Sequence, residues 1–226
     1  MSASPPLFVV LAAGKGTRMK SALPKVLHTI AGQSMLAHVL SVTSALHGDV
    51  AVVVGPAMDA VSQEAQRVVP SALVFVQHAQ QGTADAVLAA RAALDRHGGD
   101  VVVLYADTPL VRAETLARMR DALNAGANVA VLGFRPKDPS GYGRLLTDHK
   151  GGLVAIREEK DASETERRVG LCNSGVMAFR VPNITSLLSR IGNANAKGEF
   201  YLTDAVELAI RDGLTAAVVE CNEDEV

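Results

Sequence analysis

The segment from residue 11 to residue 32 concentrates side chains that could bind a triphosphate. Its sequence is LAAGKGTRMKSALPKVLHTIAG, with closely spaced glycines at Gly14 and Gly16. Glycine has no Cβ atom, so backbone N–H groups at such positions can approach phosphate oxygens closely. Phosphate oxygens also favour nearby cations. The segment supplies these as Lys15, Arg18, Lys20 and Lys25.

Two familiar phosphate-binding motifs do not fit this segment. Gly14 and Gly16 begin like the GxGxxG pattern of dinucleotide-binding folds, but Met19 stands where that pattern has its third glycine. A P-loop has the pattern GxxxxGK[ST], and neither glycine begins such a run. An ordinary solvated loop rich in glycine and lysine is therefore the alternative interpretation.

Asp107 is a candidate metal ligand, since it directly follows the apolar run Val101–Tyr105 and a carboxylate oxygen suits Mg²⁺. A turn-forming aspartate before Thr108-Pro109 is the alternative. The six histidines form neither a ligand pair at helical spacing nor a Ser/His/Asp pattern. The two cysteines, Cys172 and Cys221, have no partner at zinc-binding spacing. We assign no catalytic role to either residue type.

The elements that must position these residues are visible as short apolar runs. The runs are continuously apolar, which predicts strands covered on both faces of a sheet. They are Leu7–Leu11, Val50–Val54, Leu73–Val76, Val101–Tyr105 and Val129–Leu132. Helices are predicted between them, one containing Met35–Leu46, and this alternation indicates a mostly parallel sheet. The glycine- and lysine-rich loop then lies at a carboxyl end, where open α/β sheets bind ligands.

Two further helices and several later strands complete the predicted domain. A helix is predicted over Gly82–His97, with Thr83 as its N-cap and Asp85 in its first turn, and another over Ala113–Asn124. The later part adds mixed strands: a hairpin of Gly141–Thr147 and Leu153–Ile156, a strand at Val176–Arg180, a helix at Thr203–Asp212 and a strand at Ala216–Glu220. No linker or repeat divides residues 1–226, so we predict one α/β domain with a mostly parallel, mixed central sheet flanked by helices.

Composition and charge exclude several classes of protein. The chain has 226 residues, is 48% hydrophobic and carries a formal net charge of −2, which is ordinary for a globular domain without a general nucleic-acid or membrane surface. The apolar stretch Leu7–Ala13 has no basic residue before it, unlike a signal peptide. No run reaches the ~18 apolar residues of a membrane helix. We therefore expect a cytoplasmic protein that binds neither nucleic acid nor membrane, in keeping with its few cysteines.

The combination of LAAGKGTRM and LPKVLHTIAG closely resembles the signature of nucleotidyltransferases that act on sugar 1-phosphates. Further matches follow in the same order as in that family: QQGTADAV (80–87), YADTPL (105–110), GYGRLL (141–146), EEKDA (158–162), NSGV (173–176) and GEFYLTD (198–204). Together they look like the uridylyltransferase domain of bacterial bifunctional N-acetylglucosamine-1-phosphate uridylyltransferase/glucosamine-1-phosphate acetyltransferases. The resemblance covers nearly the whole chain and implies a Rossmann-like nucleotidyltransferase fold.

The resemblance also implies a reaction. A uridylyl group passes from UTP to N-acetylglucosamine 1-phosphate, giving UDP-N-acetylglucosamine and pyrophosphate for cell-envelope precursor synthesis. Mg²⁺ is the implied cofactor and Asp107 its implied ligand. Lys25 would hold the phosphate near the reacting centre, and Arg18 would take the departing pyrophosphate.

The same resemblance implies the residues that bind the substrates. The base and ribose would contact Leu11, Ala12, Ala13, Gly14, Gln77, Gly82, Thr83 and Tyr105. The sugar would contact Gly143, Glu158, Asn173 and Thr203. The alternatives are a surface polar residue for Gln77 and a solvated charge run for Glu158. Ala106 stands where the family commonly has glycine, and we expect it to crowd the nucleotide.

The family has features that this sequence does not include. Its second metal ligand, an asparagine, comes beyond the last predicted strand, and the chain ends at Val226 before that position. The left-handed β-helix acetyltransferase domain is also absent, so a homotrimer is expected only with that domain. We expect an incomplete metal site in this chain. Two alternatives remain open: a sugar-1-phosphate nucleotidyltransferase with a different base or sugar, and a non-catalytic nucleotide-binding domain.

Overall fold

A computed structural model of the chain describes residues 5–14, 16, 19 and 21–226. The strands are β1 (Leu7–Ala12), β2 (Thr29–Ile30), β3 (Gln33–Ser34), β4 (Asp49–Val54), β5 (Leu73–Val76), β6 (Val101–Tyr105), β7 (Val129–Phe134), β8 (Arg144–Thr147), β9 (Leu153–Arg157), β10 (Cys172–Phe179) and β11 (Ala216–Glu220). The α-helices are α1 (Met35–Ala45), α2 (Asp59–Val68), α3 (Thr83–Ala89), α4 (Arg91–Leu94), α5 (Ala113–Asn124), α6 (Glu164–Arg167), α7 (Ile184–Leu188) and α8 (Asp204–Arg211). Short 3-10 turns cover Lys25–Leu27 and Glu223–Glu225.

The central sheet has the order β11-β7-β10-β6-β1-β4-β5, with β8 and β9 attached at β10. β1 pairs in parallel with both β4 and β6, and β4 pairs in parallel with β5. β10 runs antiparallel between β6 and β7, whereas β11 is parallel to β7. The predicted fold class, an α/β domain with a mostly parallel, mixed sheet, is confirmed.

Two apolar layers cover the two faces of this sheet because neighbouring strand residues point to opposite sides. Val9 and Leu11 of β1 pack on one side with α3, α4, α7 and α8. Phe8 and Val10 pack on the other side with α1, α2 and α5. The prediction that continuously apolar runs mark doubly covered strands is confirmed for β1, whose six residues are all buried. β5 differs because it is an edge strand, and Leu73 and Val76 remain exposed.

Three features of the predicted elements differ in the structure. The single helix over 82–97 is interrupted at Ala90, where the backbone angles are φ −86° and ψ 18°. Thr83 is not the N-cap of α3 but its first residue, because Gly82 occupies the cap position. β10 begins at Cys172, before the predicted start at Val176, because Cys172 and Asn173 pair with β7 on the far side of a bulge.

Two properties of the chain follow from these elements. Within the described residues, no helix is both long enough and apolar enough to cross a membrane. Cys172 and Cys221 are free thiols.

The guanidinium of Arg180, the residue that directly follows β10, hydrogen-bonds to a residue next to β6 and to a residue in α5. Its Nε donates to Oδ1 of Asp100 at 2.7 Å, and its Nη2 donates to Oδ2 of the same residue at 2.9 Å. Its Nη1 also donates to the carbonyl of Leu123 near the end of α5, at 3.1 Å. Asp100 is only 4% exposed, so its charge depends on this paired geometry. The contact holds β10 against β6 and α5.

We expect Asp100→Asn to lower the free energy of unfolding by about 2 kcal/mol, because an amide cannot accept two guanidinium bonds as a carboxylate does. Urea denaturation measures the change. The matched control is Asp212→Asn, which breaks the exposed pair with Arg190 and should cost less than about 1 kcal/mol. Equal losses in the two variants would show that the burial of Asp100 does not matter.

Candidate functional site

The main candidate site lies at the carboxyl ends of β1 and β6. From β1 the chain passes to β4 and β5 on one side and returns to β6 on the other. In open α/β sheets such a reversal leaves a crevice in which ligands bind. Here the crevice is a cleft of about 660 Å³. It is lined by Leu11, Ala12, Ala13, Gly14, Gly16, Met19, Lys25, Val26, Gln77, Gln80, Gly82, Thr83, Ala86, Tyr105, Asp107 and Glu199.

A cation and a carboxylate meet inside this cleft. Lys25 stands in a 3-10 turn beyond β1, and Asp107 follows β6. The Nζ atom of Lys25 lies 2.7 Å from Oδ2 of Asp107, and each side chain is 35% exposed. The loop at Asp107 is tight, because both the N–H and the hydroxyl of Thr108 donate to the carbonyl of Tyr105. The cleft therefore offers an ammonium group for phosphate and a hard oxygen ligand for a cation.

The Gln77 side chain is held rigidly at the edge of the cleft. Its Nε2 atom donates to the carbonyl of Gly82 at 2.9 Å and to Oδ2 of Asp85 at 2.7 Å. Gln77 is only 6% exposed, so the alternative of an ordinary surface polar residue is wrong. Nearby, the Gln80 amide donates to the carbonyl of Ala13 at 2.9 Å. This bond fastens the loop after β5 to the end of β1.

A second group of predicted site residues surrounds Glu158 at the end of β9. Its Oε1 atom accepts a hydrogen bond from the Thr203 hydroxyl at 3.3 Å. The N–H of Asn173 donates to the carbonyl of Gly143 at 2.8 Å, and the Asn173 Oδ1 atom accepts from the N–H of Gly175. Glu158 also lines a separate cavity of about 410 Å³. These residues offer carboxylate, hydroxyl and amide groups suited to the hydroxyls and amide of a sugar ligand.

The two groups are connected by the segment 199–203, which is hydrogen-bonded to the start of α3. The N–H of Phe200 donates to the carbonyl of Gln81 at 2.8 Å, and the N–H of Leu202 donates to the Thr83 hydroxyl at 2.8 Å. Gly82 permits this approach with φ +124°, since a Cβ atom there would lie 2.6 Å from the carbonyl oxygen of Phe200. Thr203 therefore takes its position from the loop that also holds Gln77.

Burial controls the ionisation of the second group. Desolvation raises the pKa of the Glu158 carboxyl above its usual range, and the charge of Lys197 and the Thr203 hydrogen bond oppose that rise. Burial also raises the pKa of the Tyr105 phenol, and the negative charge of Glu158 raises it further. Glu158 is half-buried and bonded to Thr203, which distinguishes it from a fully solvated member of a charge run.

The structure brings most of the predicted site residues together. Those that line the cleft are Leu11, Ala12, Ala13, Gly14, Lys25, Gln77, Gly82, Thr83, Tyr105 and Asp107. Gly143, Glu158, Asn173 and Thr203 form the second group and do not line the cleft. Arg18 lies outside the described residues. The expected crowding by Ala106 is wrong, because Ala106 is fully buried and packs in the core with α5 rather than in the cleft.

Several residues that shape the site were not singled out from the sequence. Asp85 was interpreted only as a first-turn helix acid, although its carboxylate bonds to Gln77. Gln80 and Glu199 also line the cleft. Gly175 lies under the ring of Tyr105, with φ +94°. Each of these residues lies inside one of the motifs that resemble the nucleotidyltransferase family. Membership of such a motif is the sequence signal that could have identified them.

Comparison with known proteins defines the class to which this fold and site belong. The model of the MobA-like NTP transferase domain matches residues 8–167. The chain belongs to this family of nucleotidyltransferase domains. The solved structure of the inositol-1-phosphate CTP transferase from T. maritima shares the fold, with a TM-score of 0.71. The two chains are 13% identical, and the match covers 99% of this chain and 88% of that one.

More similar relatives are curated proteins named bifunctional protein GlmU. The one from Azorhizobium caulinodans is 64% identical over 97% of this chain and 49% of its own length. The one from Bradyrhizobium sp. (strain ORS 278) is 57% identical over all of this chain and 50% of its own length. The chain thus spans about half the length of the curated relatives it matches. The resemblance found from the motifs is confirmed.

We expect Gly175→Ala to disturb the site through Tyr105. An added Cβ would lie 2.7 Å from Cε2 of Tyr105, and the positive φ adds backbone strain. The free energy of unfolding should fall by about 2–3 kcal/mol. Urea denaturation of Gly175→Ala beside Gly213→Ala, which has positive φ but open space, separates contact from strain. If both variants lose the same stability, contact with the Tyr105 ring contributes nothing.

We expect Glu158→Gln to stabilise the fold in a pH-dependent manner. A folded-state pKa above the unfolded one means that wild-type stability falls as pH rises through the window between them. Glutamine removes that loss while keeping an acceptor for Thr203. The variant should therefore gain stability above the window and none well below about pH 4.3, the unfolded value.

Thermal unfolding of Glu158→Gln between acid and neutral pH measures this effect, at about 2–4 °C per kcal/mol for a chain of this size. Glu164→Gln, an exposed acid in the first turn of α6, is the matched control. A stability difference that stays constant across the pH range would show that ionisation of Glu158 is not its cause.

Proposed function

We propose that this domain transfers a uridylyl group from UTP to N-acetylglucosamine 1-phosphate, giving UDP-N-acetylglucosamine and pyrophosphate. The observation that carries the proposal is the meeting of four features in one cleft: the backbone after β1, the rigid Gln77 amide, the Lys25 ammonium and the Asp107 carboxylate. The family, the GlmU relatives and the motif resemblance support the same reaction. A cytoplasmic role in cell-envelope precursor synthesis belongs to this proposal.

The chemistry is a displacement at the α-phosphorus of the nucleotide. A phosphate oxygen of the sugar phosphate forms the new P–O bond, and the bond to the β-phosphate oxygen breaks, so that pyrophosphate leaves with the electron pair. A phosphate monoester is largely ionised near neutral pH, so the nucleophile needs no general base. The main obstacle is repulsion between two anions, which makes positioning and charge neutralisation the contribution required of the protein.

Lys25 would reduce that repulsion. Its ammonium group lies inside the cleft, where surrounding protein excludes part of the solvent and strengthens its interaction with phosphate. The backbone from Leu11 to Gly14 lines the same cleft and would contact the base and ribose. Arg18 is proposed from the sequence resemblance to take the departing pyrophosphate.

Asp107 fits the role of a magnesium ligand. Its Oδ2 atom already lies beside a cation, Lys25, and its side chain is partly exposed to the cleft. The residues that the structure describes hold no cluster of three or more metal-binding side chains. That fits Mg²⁺, which keeps several waters and is bound by one or two carboxylates plus substrate phosphates. When bound, Mg²⁺ would supply neutralisation of charge on the phosphate oxygens.

Glu158, Asn173, Gly143 and Thr203 are proposed to bind the sugar. The carboxylate and the hydroxyl are joined by a hydrogen bond, and the asparagine lies at a bulge of β10. Glutamate is suited to accept from sugar hydroxyls, and an asparagine amide can both donate to and accept from an acetamido group. Selection of the sugar would therefore be separate from selection of the base.

We expect Lys25→Ala to lower turnover at least about tenfold, because a positioned charge on the reacting phosphates is lost. Pyrophosphate release by the 226-residue chain is measured with N-acetylglucosamine 1-phosphate, Mg²⁺ and each of UTP, CTP, GTP and ATP. Lys150→Ala, in the exposed hairpin turn between β8 and β9, is the control and should retain activity.

The assay separates the proposed function from its rivals. Release that requires UTP, the sugar phosphate and Mg²⁺ supports the proposal. Release with another nucleotide would indicate a different sugar-1-phosphate nucleotidyltransferase. Nucleotide binding without release from any triphosphate, both by this chain and by a longer chain that includes the family's downstream asparagine, would favour a non-catalytic nucleotide-binding domain. Near-normal turnover of Lys25→Ala would remove that lysine from the mechanism.

A further inference from the structure

The orientation of the Gln77 amide is determined by chemistry and not only by shape. A glutamine amide has a donor end and an acceptor end that are nearly identical in size, so its hydrogen-bond partners decide which end points where. Here a backbone carbonyl, from Gly82, and a carboxylate oxygen, from Asp85, converge on the same end. Both partners only accept hydrogen bonds. The end that faces them must therefore be the NH₂ group.

The consequence is that Gln77 offers an acceptor to the cleft. Both Nε2 hydrogens are used, at 2.9 Å and 2.7 Å. Among the described residues, Oε1 accepts no hydrogen bond, and it is not one of the fully buried unpartnered atoms. Gln77 lines the cleft, and because this unpartnered oxygen is not fully buried, it is available to a ligand there. A ligand that pairs with Gln77 must supply an N–H or O–H donor.

Asp85 is the group that makes this orientation strict. The Gly82 carbonyl alone would bind one amide hydrogen, whereas the Asp85 carboxylate fixes the second. The same Oδ2 atom also accepts from the N–H of Gln81 at 3.1 Å, and this bond anchors the carboxylate at the first turn of α3. Turning the Gln77 amide over would place its oxygen against two acceptors. Such an arrangement leaves polar groups unpaired in a buried place.

We propose that Asp85 is a positioning residue that selects the nucleobase, because it locks Gln77 with its acceptor toward the cleft. Uracil has a ring N–H between two carbonyl groups, whereas cytosine has a bare ring nitrogen at the same position. A fixed acceptor pairs with the first base and opposes the lone pair of the second. Asp85 therefore favours imide pyrimidines over cytosine without touching the base. This inference rests on the proposed function, since it presumes a pyrimidine nucleotide in the cleft.

The test compares the binding of UTP and CTP to the 226-residue chain by isothermal titration calorimetry in the presence of Mg²⁺. The informative variant is Asp85→Ala, which removes the acceptor of the second amide hydrogen and leaves only the Gly82 carbonyl to orient Gln77. Asp85→Asn is the conservative variant, because an amide oxygen in the place of Oδ2 can accept from both Gln77 and the N–H of Gln81. We expect wild type and Asp85→Asn to prefer UTP at least about tenfold and Asp85→Ala to lose most of that preference.

Two further variants distinguish positioning from a merely structural role. Asp59→Asn removes a first-turn carboxylate from α2 and should leave the UTP-to-CTP ratio unchanged. In a Gln77→Ala background, Asp85→Ala should change the ratio no further, because its effect passes through Gln77. Equal weakening of both nucleotides in Asp85→Ala, or an added effect in the Gln77→Ala background, would overturn the proposal.

The controls separate failure of this inference from failure of the proposed function. If wild type shows no preference for UTP, the proposed base is wrong and the inference fails with it. If wild type prefers UTP and Asp85→Ala retains the full ratio, the inference alone is wrong. A ratio that falls in Asp85→Ala and stays unchanged in Asp59→Asn supports both.

Discussion

Parallel pairing of β1 with a strand on each side is the constraint on which the rest of the site depends. In parallel strands the carboxyl ends lie at the same edge of the sheet. Because β1 has β4 on one side and β6 on the other, the loops after β1 and β6 must meet at that edge. Lys25 and Asp107, which are 82 positions apart in the sequence, come within 2.7 Å for this reason. The buried strands fix the place where charge can be concentrated.

The side chains of Lys25 and Glu158, opposite in charge, lie at different ends of the site. The ammonium of Lys25 lies at the end formed by β1 and β6, whereas Glu158 lies in a largely desolvated position by β9. A cation suits the phosphates of a nucleotide, and an acceptor suits the hydroxyls of a sugar. The same burial that makes Glu158 costly to ionise also makes its hydrogen bonds stronger than they would be in water. The cost in stability at Glu158 is accounted for by the sugar-binding role that we propose for it.

Much of the fold was predictable because burial on both faces leaves a simple signal. The valine-rich runs of β4 and β6 were predicted to within a residue, and the helix α5 was predicted with its observed bounds. The interruption of the helix at Ala90 was not predictable, because the residue types around Ala90 do not mark a helix end. A site residue was predictable where it lies just past the end of a strand, as Asp107 does. Interactions that depend on loop geometry were not predictable.

The contact between Gln77 and Asp85 shows why such interactions escape sequence analysis. It requires the chain to reverse within a few residues, with φ +51° at Gln80 and +124° at Gly82, and neither angle can be deduced from residue type alone. Glu159 gives a second example: it belongs to an apparently solvated charge run, yet its carboxylate pairs at 2.8 Å with Arg144, whose side chain is buried. In the first case the turn of the backbone decides which polar groups face one another. In the second case the partner, Arg144, comes from a neighbouring strand.

The loop from Gln77 to Thr83 therefore has two functions that share one set of hydrogen bonds. Its side chains orient the Gln77 amide, which we propose meets the base, and the loop also holds Phe200 and Leu202 in place. Thr203 follows that segment directly and contacts Glu158. A shift of this loop would move both Gln77 and Thr203, which we propose contact the base and the sugar. The two proposed subsites thus take their geometry from one set of backbone and side-chain hydrogen bonds at the edge of the central sheet.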